Sequence, residues 1–204
     1  PNQITEPCPP EDSLDTVSRL IGPKIAERLG QNIVVDNRAG GAGQLGLELG
    51  ARAAPDGYTL VGGQGGNLAV QPHTYKKLPY DPTKDFAPLA LITRIPFILV
   101  VNPALPVKSV AELIQYAKDK PGHLSYSSGG PGSPHHLYPE LLQCMTGIQM
   151  LHVPYKGSTP ALSDVVAGHI PLMLGDIIAA LPLVKDGKVR ALGLSEARPE
   201  TIRR

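Results

Sequence analysis

Gly41-Ala42-Gly43-Gln44-Leu45-Gly46 carries the G-x-G-x-x-G spacing of a dinucleotide-binding turn, between an apolar run and a helical pattern. In such a turn the strand runs almost directly into the first glycine, and a downstream acid holds the ribose. Here Asp36-Asn37-Arg38-Ala39-Gly40 intervene, and Asp56 lies in a turn between Pro55 and Gly57. The same glycines also suit a tight turn with close helix packing, which is the favoured reading. A nicotinamide-binding α/β oxidoreductase is carried as the alternative.

Ser127-Ser128-Gly129-Gly130-Pro131-Gly132-Ser133-Pro134-His135-His136 follows a strand pattern and opens a helix, with Ser133 at the N-cap position. Backbone N–H groups and the positive end of a helix suit a carboxylate, and glycines let it approach the main chain. An ordinary strand-to-helix loop explains the run equally well. Val153-Pro154-Tyr155-Lys156-Gly157-Ser158-Thr159 repeats the arrangement, with Thr159 expected as N-cap and Pro160 at the first helical position. Lys156 would supply a positive charge there or lie on the rim in water. Asp176 reads as the N-cap of a later helix or as a residue lining the site. Between Pro121 and Tyr155 the one charged residue is Glu140, and Gly57 to Tyr75 has none. An anion here would be held by neutral donors.

His135, His136 and His152 do not form a metal site by spacing. Adjacent helical residues point about 100° apart, and the H-E-x-x-H pattern is absent. The serines lack a G-x-S-x-G elbow, so no nucleophilic triad is read. Cys8 and Cys144 belong to no C-x-x-C pair and are expected as two unpaired thiols. No cofactor or metal is assigned.

The elements that would position these loops alternate. Leu14, Val17, Leu20, Ile21, Ile25 and Leu29 recur at helical spacing up to Gly30. Ile33-Val34-Val35 reads as a short buried strand, Leu45 to Ala54 as a helix, Tyr58 to Val61 as a strand, and Pro72 to Pro88 as an irregular connection. Phe97 to Val101 is a strong strand. Ser109 and Glu112 then form a capping box. Three further strand–helix units follow, from Leu124, Gln149 and Ile170, before a last strand at Val189–Leu194. The pattern predicts an α/β fold with mainly parallel sheets. A reduced strand at Ile4-Thr5-Glu6 and a stop at Arg204, where Glu196-Ala197-Arg198 would lead into another helix, give the ends the look of a fragment.

The chain has 204 residues, with 19 basic and 18 acidic side chains. That size suits one domain or two small lobes. Without a basic block, binding to nucleic acid through bulk electrostatics is not expected. No apolar run approaches the roughly 18 residues of a membrane span, so the chain is not expected to be membrane-embedded. No signal-peptide stretch is present at its start.

Several segments together resemble the Bug-type extracytoplasmic solute receptors of tripartite tricarboxylate transporters. They are Leu14-Asp15-Thr16-Val17, Val35-Asp36-Asn37-Arg38-Ala39-Gly40-Gly41, Ala54-Pro55-Asp56-Gly57-Tyr58, Lys77-Leu78-Pro79-Tyr80-Asp81-Pro82, Asp85-Phe86-Ala87-Pro88, the Ser-Gly loop before His136, and His152 to Gly157. The resemblance implies a two-lobed periplasmic-binding-protein-like (Venus flytrap) α/β fold closing on a small carboxylate, and a receptor instead of an enzyme. It implies a periplasmic location and the membrane subunits of a transporter as partners. The first lobe is expected over residues 1–98, lacking a returning segment, and the second over 99–204. By resemblance the ligand-binding positions are Gly66, Asn67, Gly132, Ser133, Tyr155, Lys156, Gly157 and Ser158; Asp15, Ser128 and Asp176 are counted with them as ligand-binding candidates. Glu11 and Asp12 stand where the family pattern has two glycines, which places two negative charges near the anion's approach. A non-binding remnant of the family is the third reading.

Overall fold

The computed structural model describes residues 2–195; the expectation about Glu196-Ala197-Arg198 and the stop at Arg204 lies outside them. The chain divides into two compact units, one of Pro1–Thr93 with Gly130–Pro134 and one of Arg94–Gly129 with the residues from His135 onward.

The first unit is built on three parallel strands in the order β2-β1-β3. They are β1 (Gln3–Glu6), β2 (Val34–Asn37) and β3 (Thr59–Val61). The short Ile4-Thr5-Glu6 run is therefore the central strand. β2 forms one residue later than expected and is an edge strand, with Val34 62% exposed, so the expectation of a buried strand is corrected. Helix α1 (Ser13–Leu29) starts at Asp12, whose carboxylate accepts from the Leu14 N–H, and stops at Gly30 in the left-handed region. Its buried residues are Ser13, Leu14, Asp15, Ser18 and Gly22, while Leu20 and Leu29 of the apolar stripe are exposed. A three-stranded sheet is too narrow to cover that stripe.

Helix α2 (Gln44–Ala51) follows a single 3-10 turn at Gly41–Gly43. A Cβ at Gly46 would lie 2.6 Å from the Pro7 Cα, and one at Gly43 would lie 2.6 Å from the Asn67 amide nitrogen. The glycines of the G-x-G-x-x-G run thus let the turn and α2 press against the chain leaving β1. After β3 comes one wide turn, Gly66–Val70, and then the short helix α3 (Gln71–Thr74), which takes the start of the expected irregular connection; residues 75–88 are irregular, as expected.

The second unit has five strands in the order β6-β5-β7-β4-β8. These are β4 (Phe97–Val101), β5 (Leu124–Ser128), β6 (Met150–Pro154), β7 (Leu172–Asp176) and β8 (Arg190–Leu194). β5 is parallel to both β6 and β7, but β4 runs antiparallel to β7 and to β8, so this sheet is mixed. Along β4, Leu99 and Val101 enter one apolar cluster while Ile98 and Val100 enter another, as the alternation of a strand requires. The first cluster takes in Leu113 and Ala117 of α4 (Val110–Asp119). The second takes in Ala161, Leu162 and Val165 of α6 (Ser158–Ala167) and Ala180 of α7 (Ile177–Lys185). Helix α5 (Pro134–Thr146) connects β5 to β6. The capping pair is present: Ser109 Oγ accepts from the Glu112 N–H at 3.2 Å, and Glu112 accepts from the Lys108 N–H at 2.8 Å.

Candidate functional site

Both units wind their parallel strands the same way. In each, the first strand is central, the second lies on one side and the third on the other. Loops leaving the carboxyl ends of the first and third strands diverge at such a switch point, where open α/β sheets hold their ligands. The residues singled out from sequence lie along these edges.

In the second unit, β5 ends at Ser128, β6 at Pro154 and β7 at Asp176, on one edge of the sheet. Ser128 is fully buried; its hydroxyl lies 2.6 Å from His152 Nε2, and its carbonyl accepts from the Tyr155 N–H at 2.9 Å. A Cβ at Gly129 would stand 3.3 Å from the Ser158 nitrogen, so the β5 loop lies directly on the first turn of α6. That helix is capped by Gly157 at φ 142°, not by Thr159, which falls inside the first turn. A glycine cap leaves no side chain over the positive end of the helix. Tyr155 is anchored twice, by its N–H on β5 and by its hydroxyl, which donates to Asp164 of α6. The Asp164 bond pushes the phenol up to about 12. Lys156 is exposed.

Asp176 occupies the N-cap position of α7 but makes no side-chain cap bond. Its carboxylate instead faces His135 Nε2 at 3.2 Å, both side chains being buried. The adjacent His136 turns elsewhere and stacks on His152, ring centroids 4.1 Å apart. Burial, then the nearby His136, pushes His152 down to about 4, so the ring is neutral at physiological pH.

In the first unit, Gly66 packs so closely that a Cβ would lie 3.0 Å from the Gly132 carbonyl. Asn67 is buried, and its Oδ1 accepts from the Gln64 N–H at 2.9 Å. Gly132 has φ +78° and lies over Gln71 and Tyr75. Ser133, expected as an N-cap acceptor, uses its hydroxyl to donate to the Gly130 carbonyl at 2.7 Å, closing the loop ahead of α5. Asp15 is buried and accepts from Arg19 Nε at 2.9 Å, Asn37 Nδ2 at 2.8 Å and the Glu11 N–H at 2.9 Å. Burial opposes ionisation, but these bonds outweigh it and hold the carboxyl below its ordinary value. Its carboxylate thus orders the β1–α1 loop. Of the two acids in that loop, Asp12 is buried as the α1 cap and Glu11 is exposed at φ +65°, a conformation that suits glycine.

Sequence spacing missed the His135–Asp176, Ser128–His152 and Tyr155–Asp164 pairs, because each joins different elements. The strand-to-helix position of Ser128 and Asp176 was the available signal. Among the described residues, both cysteines are free, no group of three His, Cys, Asp or Glu side chains is placed to hold a metal, and no helix is long and apolar enough to cross a membrane.

Residues 17–202 match the model of the tripartite tricarboxylate transporter family receptor. A UPF0065 protein in the tcbD-tcbE intergenic region of Pseudomonas sp. (strain P51) is 38% identical over 189 residues, covering 93% of this chain and 56% of that protein. Protein BugT of Bordetella pertussis is 35% identical over 195 residues, covering 95% of this chain and 60% of BugT. The chain thus spans little more than half the length of these relatives. An R. palustris protein solved with adipate superposes with a TM-score of 0.93 at 38% identity, over 97% of this chain and 66% of that one. MatC from Rhodopseudomonas palustris with bound malate gives 0.92 at 32%, over 98% and 68%. The periplasmic binding protein BugD gives 0.93 at 28%, over 99% and 68%. The fold is the α/β, two-lobed periplasmic-binding-protein fold.

Proposed function

Because the chain belongs to the tripartite tricarboxylate transporter family of receptors, we propose that it captures a small mono- or dicarboxylate in the periplasm for a transporter of that type. The observation that carries this reading is the edge of the second unit. There the loops after β5 and β6 converge on the glycine-capped N-terminus of α6; Lys156 is exposed there, and the nearby carboxylates are already engaged, Asp164 by Tyr155 and Asp176 by His135. A site of backbone N–H groups and a helix N-terminus favours an anion and gives a neutral solute no such advantage. The adipate and malate in the solved relatives fit the same chemistry.

In this reading Gly157 and Ser158 present main-chain donors, Ser128 a hydroxyl held by His152, and Lys156 a cation at the rim. Tyr155 and Asp176 shape the loops. Within the first unit by itself, Gly132, Ser133, Gly66 and Asn67 form a small, close-approach surface, and Asp15 holds the β1–α1 loop in place. The membrane subunits of the transporter are the partners this role requires.

The test is calorimetric titration of the chain with adipate, malate and their uncharged amides. Binding of the acids and not of the amides is the expected result. Equal binding of acids and amides would remove the anion site, and a Gly157→Val variant that binds as tightly as the parent would move it away from α6.

A further inference from the structure

Three carboxylates meet where β1 gives way to α1: Glu6, Asp12 and Asp15. Two have donors suited to a negative charge. Asp12 takes the Leu14 N–H at the positive end of α1, and Asp15 takes Arg19, Asn37 and the Glu11 N–H. Glu6 has no such set. It is fully buried, and Ser18 donates to its Oε1, but Oε2 has no hydrogen-bond partner. Oε2 lies against Gly62, where an added Cβ would come within 2.3 Å.

Among the charges around β1, Arg19 favours the ionised form only from a distance, since its hydrogen bonds go elsewhere. Arg19 of α1 gives Nε to Asp15 and Nη2 to Asn37. On β2 and just beyond it, Asp36 is bound by Gln3 and Arg38. β3 is Thr59-Leu60-Val61, without an ionisable group. On α2, Glu48 and the following Arg52 pair with each other. The nearby Cys8 thiol is buried and pushed up, so it stays neutral.

We propose that Glu6 is a proton-binding site: in the folded unit it is held as the neutral acid with the proton on Oε2, and release of that proton loosens the corner between β1 and α1. An ionised Glu6 would be a buried charge with a single hydrogen bond beside two other carboxylates, a costly arrangement. Burial first, with Asp15 and Asp12 adding to it against the Ser18 bond and the charge of Arg19, raises its pKa from 4.5 to about 7. The folded form therefore binds this proton more tightly than the unfolded chain. Its contribution to stability is complete below pH 4.5 and is lost as pH rises through 7. A shift of that size lowers the folding constant of the first unit by roughly two orders of magnitude across the window.

The experiment compares the ligand-free chain with Glu6→Gln, which keeps the shape and the neutrality. Hydrogen exchange of amides in residues 1–93, corrected for intrinsic rates, is followed from pH 5 to 8. In the parent, opening is expected to rise about a hundredfold relative to the variant. Parallel profiles for the two proteins would overturn the proposal. Should Glu6→Gln not fold, the parent alone decides, through the carboxyl carbon resonances of protein labelled at glutamate. One Glu signal titrating near 7 is expected, and titration of every Glu near its ordinary value overturns the proposal. No ligand is present, so the outcome does not depend on carboxylate capture.

Discussion

The two units wind their parallel strands identically yet fill their interiors with different chemistry. In the second, both faces of the sheet are covered by apolar clusters that include Leu113, Val101 and Tyr126 on one side and Val100, Val165 and Met173 on the other. In the first, the interior is filled mainly by Thr5, Glu6, Asp12, Ser13, Asp15, Ser18, Asn67 and Gln71, with a few apolar residues such as Ile4, Leu14 and Leu47. The same topology can thus be held by apolar burial, which is non-directional, or by hydrogen bonds, which depend on geometry and protonation. The second kind of interior gives less net stability per contact and responds to pH.

The largest expected effect is on truncation. Leu113→Ala in the second unit should cost about 2–5 kcal/mol, as for a fully buried leucine, whereas Leu20→Ala on exposed α1 should change stability by under about 0.5 kcal/mol. Denaturant unfolding with limited proteolysis checks both, and cleavage is expected first within residues 1–93. A Leu20 effect as large as that of Leu113 would show that the first unit has an apolar core after all.

The pH responses should oppose each other. His152 in the second unit is pushed down to about 4, so its contribution is complete above 6.5 and is lost as pH falls toward 4. Glu6 in the first unit runs the other way. Exchange protection of β5 and β6 should therefore fall on acidification while that of β1 rises. His152→Gln should flatten the first trend and leave the second; a common slope in both units would break the contrast.

Two smaller effects concern loops where sequence and backbone disagree or agree. Gly132→Val places a branched side chain at φ +78°, with its Cβ 3.3 Å from Gln71 and 3.4 Å from Tyr75. It should cost about 1–2 kcal/mol in stability and weaken carboxylate binding in the calorimeter. Glu11→Gly relieves the strain of a side chain at φ +65° and removes a negative charge. It should stabilise the chain by up to about 1 kcal/mol, read as a higher denaturation midpoint. With affinity measured alongside, it also tests whether the charge opposes the anion.

Much of the site's setting was legible before the structure. The α/β alternation, the Ser109–Glu112 cap, the stop at Gly30 and the glycine loops after strands all follow from local spacing. The errors share one cause. Thr159 was expected to cap α6, but the turn is completed by Gly157, because φ 142° there suits a residue without a Cβ. β2 was expected to be buried from its valines, yet it lies at an edge. The mainly parallel expectation holds for the pairs made by β1 and β5, while β4 runs antiparallel to both its neighbours, since alternation along one strand says nothing about the direction of its neighbours.

By itself, the sequence determined where helices and strands form and where the chain turns, because those depend on backbone preferences and periodicity within a few residues. It also determined that the loop around Ser128 would be small and uncharged and that the one around Gly157 would carry Lys156 as its charge. Only the tertiary structure decided which polar groups meet. His135 and Asp176 are 41 positions apart, and Asp15 and Asn37 are 22 apart. The β2-β1-β3 order brings β2 with Asn37, and β3 with Gly62, to either side of β1. That order also buries Glu6 without a second donor, since strand order and helix packing, not neighbours in the chain, set what a buried carboxyl finds around it.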